Sequence, residues 1–312
     1  MILFVTWLAS VKSKRTGKRL EVDTISQYHS MLKAALSTSF GFELEGSPQR
    51  LPAVLKSLRN SCPGKERRKR RGLRRRHLKD AWVKHAETFQ PKYSKDEKDA
   101  KDRINKWAAI SLAWQALARG GEISSPSKRK KFRASQLPSR ADISFHKKKS
   151  GKRYAVIRLR PLKKKGKVSK IPIIFAEGDH GGADTYWALR ELDRIDPVPS
   201  KDRAKTPLFR TTQGPLTQRE FSRMVKKIAA ILGLDPELFG GHSCRIGGAT
   251  DCADGGGSPL LLQAKGRWAS DIGKIYARMT LRAQLSASKL MQKGKGSRDL
   301  EDIFPDFTQP AL

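Results

Sequence analysis

The chain is poor in cysteine, in acidic residues and in long apolar runs, and each shortage excludes something. Its three cysteines, Cys62, Cys244 and Cys252, include no C-x-x-C pair. That pattern excludes a disulfide framework and a cysteine zinc site and fits a reducing compartment. Cys244 and Cys252 are expected as small buried residues. Asp and Glu number 30 against 65 Lys and Arg. The opening MILFVTWLAS is too short to cross a bilayer and lacks the basic leading region and cleavage site of a signal peptide, so it reads as a first helix. No membrane, metal or small-molecule cofactor is expected.

What is present in excess is positive charge. A formal net charge of +35 makes a polyanion the natural partner, because each neutralised phosphate releases counterions. A solvated surface and a membrane-facing patch are the bland readings. The excess is too large and too spread for a single membrane anchor, so nucleic acid is favoured. With 312 residues there is room for one large domain or two ordinary ones.

Residues 1–62 read as a helical domain. Phe4, Trp7, Leu8 and Val11, then Ile25, Tyr28, Met31, Leu32 and Leu36, then Leu51, Val54, Leu55 and Leu58 recur at helical spacing, and their aromatics are expected in the core. From Lys65 to Lys79 the run KERRKRRGLRRRHLK holds ten Lys or Arg against one Glu. Residues 63–72 are taken as a basic interdomain linker. Lys65, Arg67, Arg68, Lys69, Arg70, Arg71, Arg74, Arg75 and Arg76 are candidate DNA-backbone contacts, with a nuclear-import address and a solvated helix face as the other readings. A helix from Leu78 to Phe89 stops at Pro91. A largely buried helix carrying Ile104, Trp107, Ile110, Leu112 and Leu117 stops at Gly120-Gly121, with Arg119 at its end, where a cation also favours the helix dipole. The period changes to two in RYAVIRLRP and KVSKIPIIF, a hairpin with the tip KKKGK. Thr217 caps an amphipathic helix that Gly233 closes. A further amphipathic helix follows Leu281, and 294–312 form a flexible acidic and apolar tail.

The stretch from Gly240 to Thr280, GGHSCRIGGATDCADGGGSPLLLQAKGRWASDIGKIYARMT, says the most. On a helix His242 and Arg245 lie one turn apart on one face. Trp268 and Tyr276 follow. A cation, a proton-transfer group, an indole donor and a phenol in one unit suggest chemistry on a phosphodiester.

GGHSCRIGGAT followed by GRWASDIGKIY resembles the catalytic domain of the tyrosine recombinases, the phage-integrase family, and is most like the eukaryotic group of DIRS- and Crypton-type mobile elements. The resemblance covers about residues 100–280 and includes LARGGEI, the hairpin and TPLF. It implies a mainly α fold with a small β-sheet. A helical, SAM-like core-binding domain (1–62) would join an α+β catalytic domain (73–293) of the DNA breaking-rejoining type, the two clamping a duplex. Residue by residue, Arg119 resembles the first catalytic arginine and Glu122 its supporting acid. His242 and Arg245 match the HxxR pair, and Tyr276 the nucleophile. Trp268 stands where most members carry histidine. The catalytic lysine is expected in the hairpin at Lys163, Lys164 or Lys165, with Lys164 preferred. Tyr276 would attack phosphorus to give a 3′-phosphotyrosine, Arg119 and Arg245 would neutralise the phosphate, and the hairpin lysine would protonate the leaving 5′-oxygen.

The resemblance further implies a homotetramer on two duplexes, with the region after residue 281 packing between neighbours. It implies work independent of metal and ATP, and a nuclear location in a eukaryote or the cytoplasm or nucleoid otherwise. Two alternatives stand beside it: a domesticated relative that binds DNA without cutting, and a basic RNA-binding protein.

Overall fold

A computed structural model describes residues 2–13, 17, 19–40, 50–61, 70–128, 132–159, 171–179, 181–267 and 281–293. The chain divides into two compact units, residues 1–69 and 70–312.

The first unit contains helices α1 (Ile2–Ser10), α2 (Val22–Phe40) and α3 (Arg50–Ser61). Its small core is Val5, Leu8, Ile25 and Leu55, flanked by Phe4, Leu20, Val54 and Leu58. The expected stripes are therefore half right. Trp7 (59% exposed), Tyr28 (45%) and Met31 (67%) face outward. Three short helices present too little facing surface to cover every apolar position that falls at helical spacing.

The second unit is built around one buried helix. It holds α4 (Arg75–Lys84), α5 (Ala86–Phe89), α6 (Glu97–Gln115), α7 (Gly120–Ile123), strands β1 (Ile143–Lys147), β2 (Arg153–Leu159) and β3 (Ile171–Ala176), and α8 (Thr185–Ile195). A two-residue ribbon, β4 (Arg210–Thr211) with β5 (Gly214–Pro215), precedes α9 (Gln218–Ile231), α10 (Ser243–Asp254), α11 (Pro259–Gly266) and α12 (Leu281–Lys293). The architecture is thus mainly helical with small antiparallel sheets. Among the described residues no helix is long and apolar enough to cross a membrane.

Asp96 caps α6 by accepting from the Asp99 N–H at 2.8 Å. From Ile104 to Gln115 nearly every α6 side chain is buried, including Trp107 and Trp114. Helices α8, α9 and α10 pack around it. The sheet has the order β1-β2-β3, with Ile157 opposite both Ile143 and Ile173. The expected hairpin strands are β2 and β3, and its tip lies outside the described residues. The expected cap at Thr217 is present as a capping box with Glu220 (2.9 and 3.2 Å), and Gly233 closes the helix at φ +72°. The helix expected through 78–89 is instead two pieces that break at His85.

Residues 281–293 pack on their own chain. Ser288 accepts from Gln115 at 2.7 Å and from the Ala176 N–H at 3.2 Å, and Met291 is wholly buried. The rest of the region expected to pack between neighbours, residues 294–312, lies outside the described residues.

Two glycines set how closely α10 sits. A Cβ on Gly247 would overlap the backbone of Leu73, and one on Gly248 the carbonyl oxygen of Trp114. Gly248→Ala should therefore force α10 off α6, costing about 1–3 kcal/mol of overpacking strain or more. Urea unfolding would read this as a lower midpoint, and an unchanged midpoint would show that the helices do not meet there.

Candidate active site

The turn after α6 decides the arrangement. Leu117 adopts φ +49°, in the left-handed region, which costs a branched side chain about 1–2 kcal/mol. That conformation presents its carbonyl to Arg245, whose Nη1 donates to Leu117 O at 2.7 Å while Nη2 donates to Gly266 O at 2.8 Å. Arg245 lies one turn into α10 and is only 6% exposed. These two carbonyl oxygens fix the plane of its guanidinium group.

Arg119 follows two residues later. It stands at the start of α7, not at the end of α6, which closes at Gln115. The helix-dipole explanation for a cation there therefore fails, because a helix N-terminus repels positive charge. Glu122 holds it instead, accepting the Arg119 N–H at 3.0 Å and Nη1 at 3.2 Å. The Arg119 side chain remains 27% exposed while that of Glu122 is 2%.

A third arginine, which the sequence reading passed over, completes the cluster. Arg267 has φ +53°. Its Nη2 pairs with the same Glu122 oxygen that receives the Arg119 N–H, and its Nη1 donates to Ala116 O at 3.1 Å. Arg119 and Arg267 share the Glu122 carboxylate, and Arg245 is held beside them by the carbonyls of Leu117 and Gly266. Arg245 and Arg267 are recessed; Arg119 is the face open to a ligand. A fixed, partly exposed cation backed by buried charge is suited to an anion.

His242 is exposed and opens α10, its carbonyl accepting the Ile246 N–H at 3.0 Å. Gly120 packs near its loop, because a Cβ there would come within 3.7 Å of Gly241 O. The fold thus gathers Arg119, Glu122 and Arg245 with the backbone at His242, and adds Arg267. Trp268, Tyr276, Lys163, Lys164 and Lys165 lie outside the described residues.

Behind the cluster sits Lys265, 2% exposed. Its Nζ donates to Ile174 O at 3.2 Å and lies 5.2 Å from the centre of the Phe175 ring. Burial lowers its pKa to about 8. This lysine ties the 265–267 turn to β3. Among the described residues no three His, Cys, Asp or Glu side chains gather as a metal site.

The basic strip divides. Lys65, Arg67, Arg68 and Lys69 lie outside the described residues. Arg70 is exposed and donates to the carbonyls of Glu237 (2.7 Å) and Phe239 (2.9 Å). Arg71 and Arg76 are half-buried. Arg74 is not a phosphate contact: it is 1% exposed, its Nε donates to Asp251 at 2.7 Å, and it also pairs with Asp254. Burial raises the Asp251 carboxyl pKa against the pull of Arg74. Arg75 pairs with Asp179 at 2.5 Å, and its N–H donates to Asp251 at 2.6 Å. Residues 70–74 are strapped to the second unit by Arg71 N–H to Leu238 O and Leu73 N–H to Ser243 O, both 2.8 Å.

Glu122→Gln removes the one carboxylate shared by two arginines, of which Arg267 has a side chain only 3% exposed. Breaking a buried pair costs about 3–5 kcal/mol, which for a domain of this size lowers the thermal midpoint by roughly 6–20 °C. A shift under about 2 °C would show that Glu122 does not anchor them.

No protein-family model matches the chain, and no curated protein matches it. Among the solved structures similar to the chain are two recombination proteins. One is the integrase from mycobacterium phage Brujita, with 13% identity, a TM-score of 0.40, and coverage of 94% of this chain and 77% of that one. The other is the XerH site-specific recombinase bound to difH substrate in a pre-cleavage complex, with 18% identity, a TM-score of 0.42, and coverage of 83% and 69%. At these identities no residue role transfers from either protein.

Proposed function

We propose that this chain is a tyrosine recombinase that cuts and rejoins duplex DNA through a 3′-phosphotyrosine. We place it with the DIRS- and Crypton-type enzymes of mobile elements. The observation that supports this most is the pairing of Arg119 and Arg267 with one buried carboxylate, Glu122, with Arg245 held beside them by the Leu117 and Gly266 carbonyls. Phosphoryl transfer asks a protein chiefly for positioning and for positive charge at the non-bridging oxygens.

In this reading the Tyr276 hydroxyl oxygen bonds to phosphorus and its proton passes to His242. The bond from phosphorus to the 5′-oxygen breaks, and a hairpin lysine, Lys164, protonates that oxygen. Arg119 and Arg245 hold the phosphate, while Trp268 donates its indole N–H to one phosphate oxygen. The phosphotyrosine conserves the bond energy, so rejoining by a second 5′-hydroxyl draws on neither ATP nor metal. Two strand exchanges between two duplexes call for four active sites, hence a homotetramer. The two units would clamp the duplex, and Lys65, Arg67, Arg68, Lys69, Arg70, Arg71 and Arg76 would serve backbone contact and nuclear import.

The test uses nicked suicide duplexes that carry the terminal sequences of the element encoding the chain. A protease-sensitive adduct on the 3′ side of the break is the expected product. Tight duplex binding without any adduct would instead favour a DNA-binding relative that no longer cuts, and a preference for RNA would favour an RNA-binding protein.

A further inference from the structure

A dense group of lysines occupies the end of the sheet away from the 160–170 connection. The β1–β2 turn carries Lys147, Lys148, Lys149 and Lys152. Helix α12 brings Lys289 to that turn, with Lys293 one helical turn further along. Between them lies a cleft of about 240 Å³, where Lys148, Lys152, Arg153 and Lys289 stand over Tyr154 and Leu285. Among the described residues no carboxylate lines it. The carboxylate beside it, Glu177, is taken by Arg153 at 2.9 Å.

This grouping works against folding. Lys152 sits against Lys289, and its charge lowers the Lys289 pKa, with Lys293 and Lys148 adding to the effect. A bound polyanion would turn that repulsion into attraction. Strand β2 runs from Arg153 beside the cleft to Leu159 at the 160–170 connection. Seven residues of strand put these ends about 20 Å apart, the length of roughly six base steps. One phosphate cannot serve both ends.

We infer that the cleft between the β1–β2 turn and α12 is a second contact for the phosphate backbone of duplex DNA, at the opposite end of β2 from the 160–170 connection. Three features select a duplex backbone. The lysines continue past the cleft on both sides, to Lys147 and Lys149 and to Lys293, which exceeds what one small phosphate needs. Lysines act as mobile point charges, suited to backbone contact that reads no sequence. The aromatic ring lining the cleft, Tyr154, is stacked on His146 (5.2 Å, 18° between planes), so it is poorly placed as a platform for unpaired bases.

The contact stands whether or not the chain cleaves DNA, and its test reads binding alone. The full chain and its Lys152→Gln/Lys289→Gln variant are titrated with a duplex of about 30 base pairs of arbitrary sequence across a range of NaCl. Losing two phosphate contacts should make the slope of log affinity against log salt shallower by about 1.8, and lower affinity near 0.15 M salt roughly 10–30-fold. Lys152→Arg/Lys289→Arg should keep the original slope, which separates charge loss from any failure to fold. An unchanged slope in the Gln variant would overturn the inference. So would an unchanged duplex slope with loss of protection by inorganic pyrophosphate in thermal unfolding, which would mark a small-anion site. A lysine-dependent preference for duplex RNA over duplex DNA would overturn it as well.

Discussion

Tyr276→Phe should abolish covalent capture of DNA while leaving duplex affinity within about twofold, since affinity comes mainly from phosphate contacts. The phenol oxygen is the atom that bonds to phosphorus, and phenylalanine keeps the ring while removing that atom alone. A phenol of ordinary pKa near ~10 is a poor nucleophile at neutral pH, so the reaction leans on the cations beside it. Nothing else proposed for the site can form the same 3′-linked ester. Adduct on a suicide duplex should fall below detection, a loss of at least about a thousandfold on the scale of deleting a nucleophile. Adduct that survives in the Phe variant would remove Tyr276 from the chemistry.

Arg119→Ala should lower the rate of adduct formation by roughly 10²–10³, the cost of deleting one donor aimed at charge that develops on an oxygen. Its 27% exposure makes it a clean probe. Glu122 keeps its pairing with Arg267 when Arg119 is shortened, so the turn retains its anchor. Arg245→Ala is different in kind. It leaves the buried carbonyls of Leu117 and Gly266 without those donors, at about 1–3 kcal/mol for each unsatisfied group. That variant should lose stability along with activity. Arg119→Lys should recover little, because one ammonium cannot bridge Glu122 and a phosphate as a planar guanidinium does. Single-turnover rates with thermal midpoints on the same samples separate these cases.

Local signals made much of this arrangement legible. Strong amphipathic periodicity and the Thr217 cap marked α9, period-two runs marked β2 and β3, and the apolar density from Ile104 marked α6. Helix α8 escaped notice although Asp184 caps it and Leu189 and Leu192 line its buried face. Strand β1 was missed because its outer residues, His146 and Lys147, are exposed and break the apolar alternation. The harder cases depend on distance. Arg267 is buried by Glu122, 145 residues away, in a left-handed backbone that no side chain announces. Arg74 sits inside a run that reads as solvated charge, yet Asp251, 177 residues on, draws it into the core. The outward Trp7 and Met31 show the converse: periodicity names the apolar positions but not how much partner surface exists to cover them.

The central claim is that guanidinium charge at Arg119 offsets charge building on the scissile phosphate, and a neutral substrate measures it directly. A suicide duplex with a methylphosphonate at the cleavage position lacks that negative oxygen. With this substrate the Arg119→Ala variant should form the Tyr276 adduct at a rate within about tenfold of the wild-type chain, against a deficit of roughly 10²–10³ on the ordinary phosphate. A deficit of equal size on both substrates would contradict the account and leave Arg119 as a structural residue.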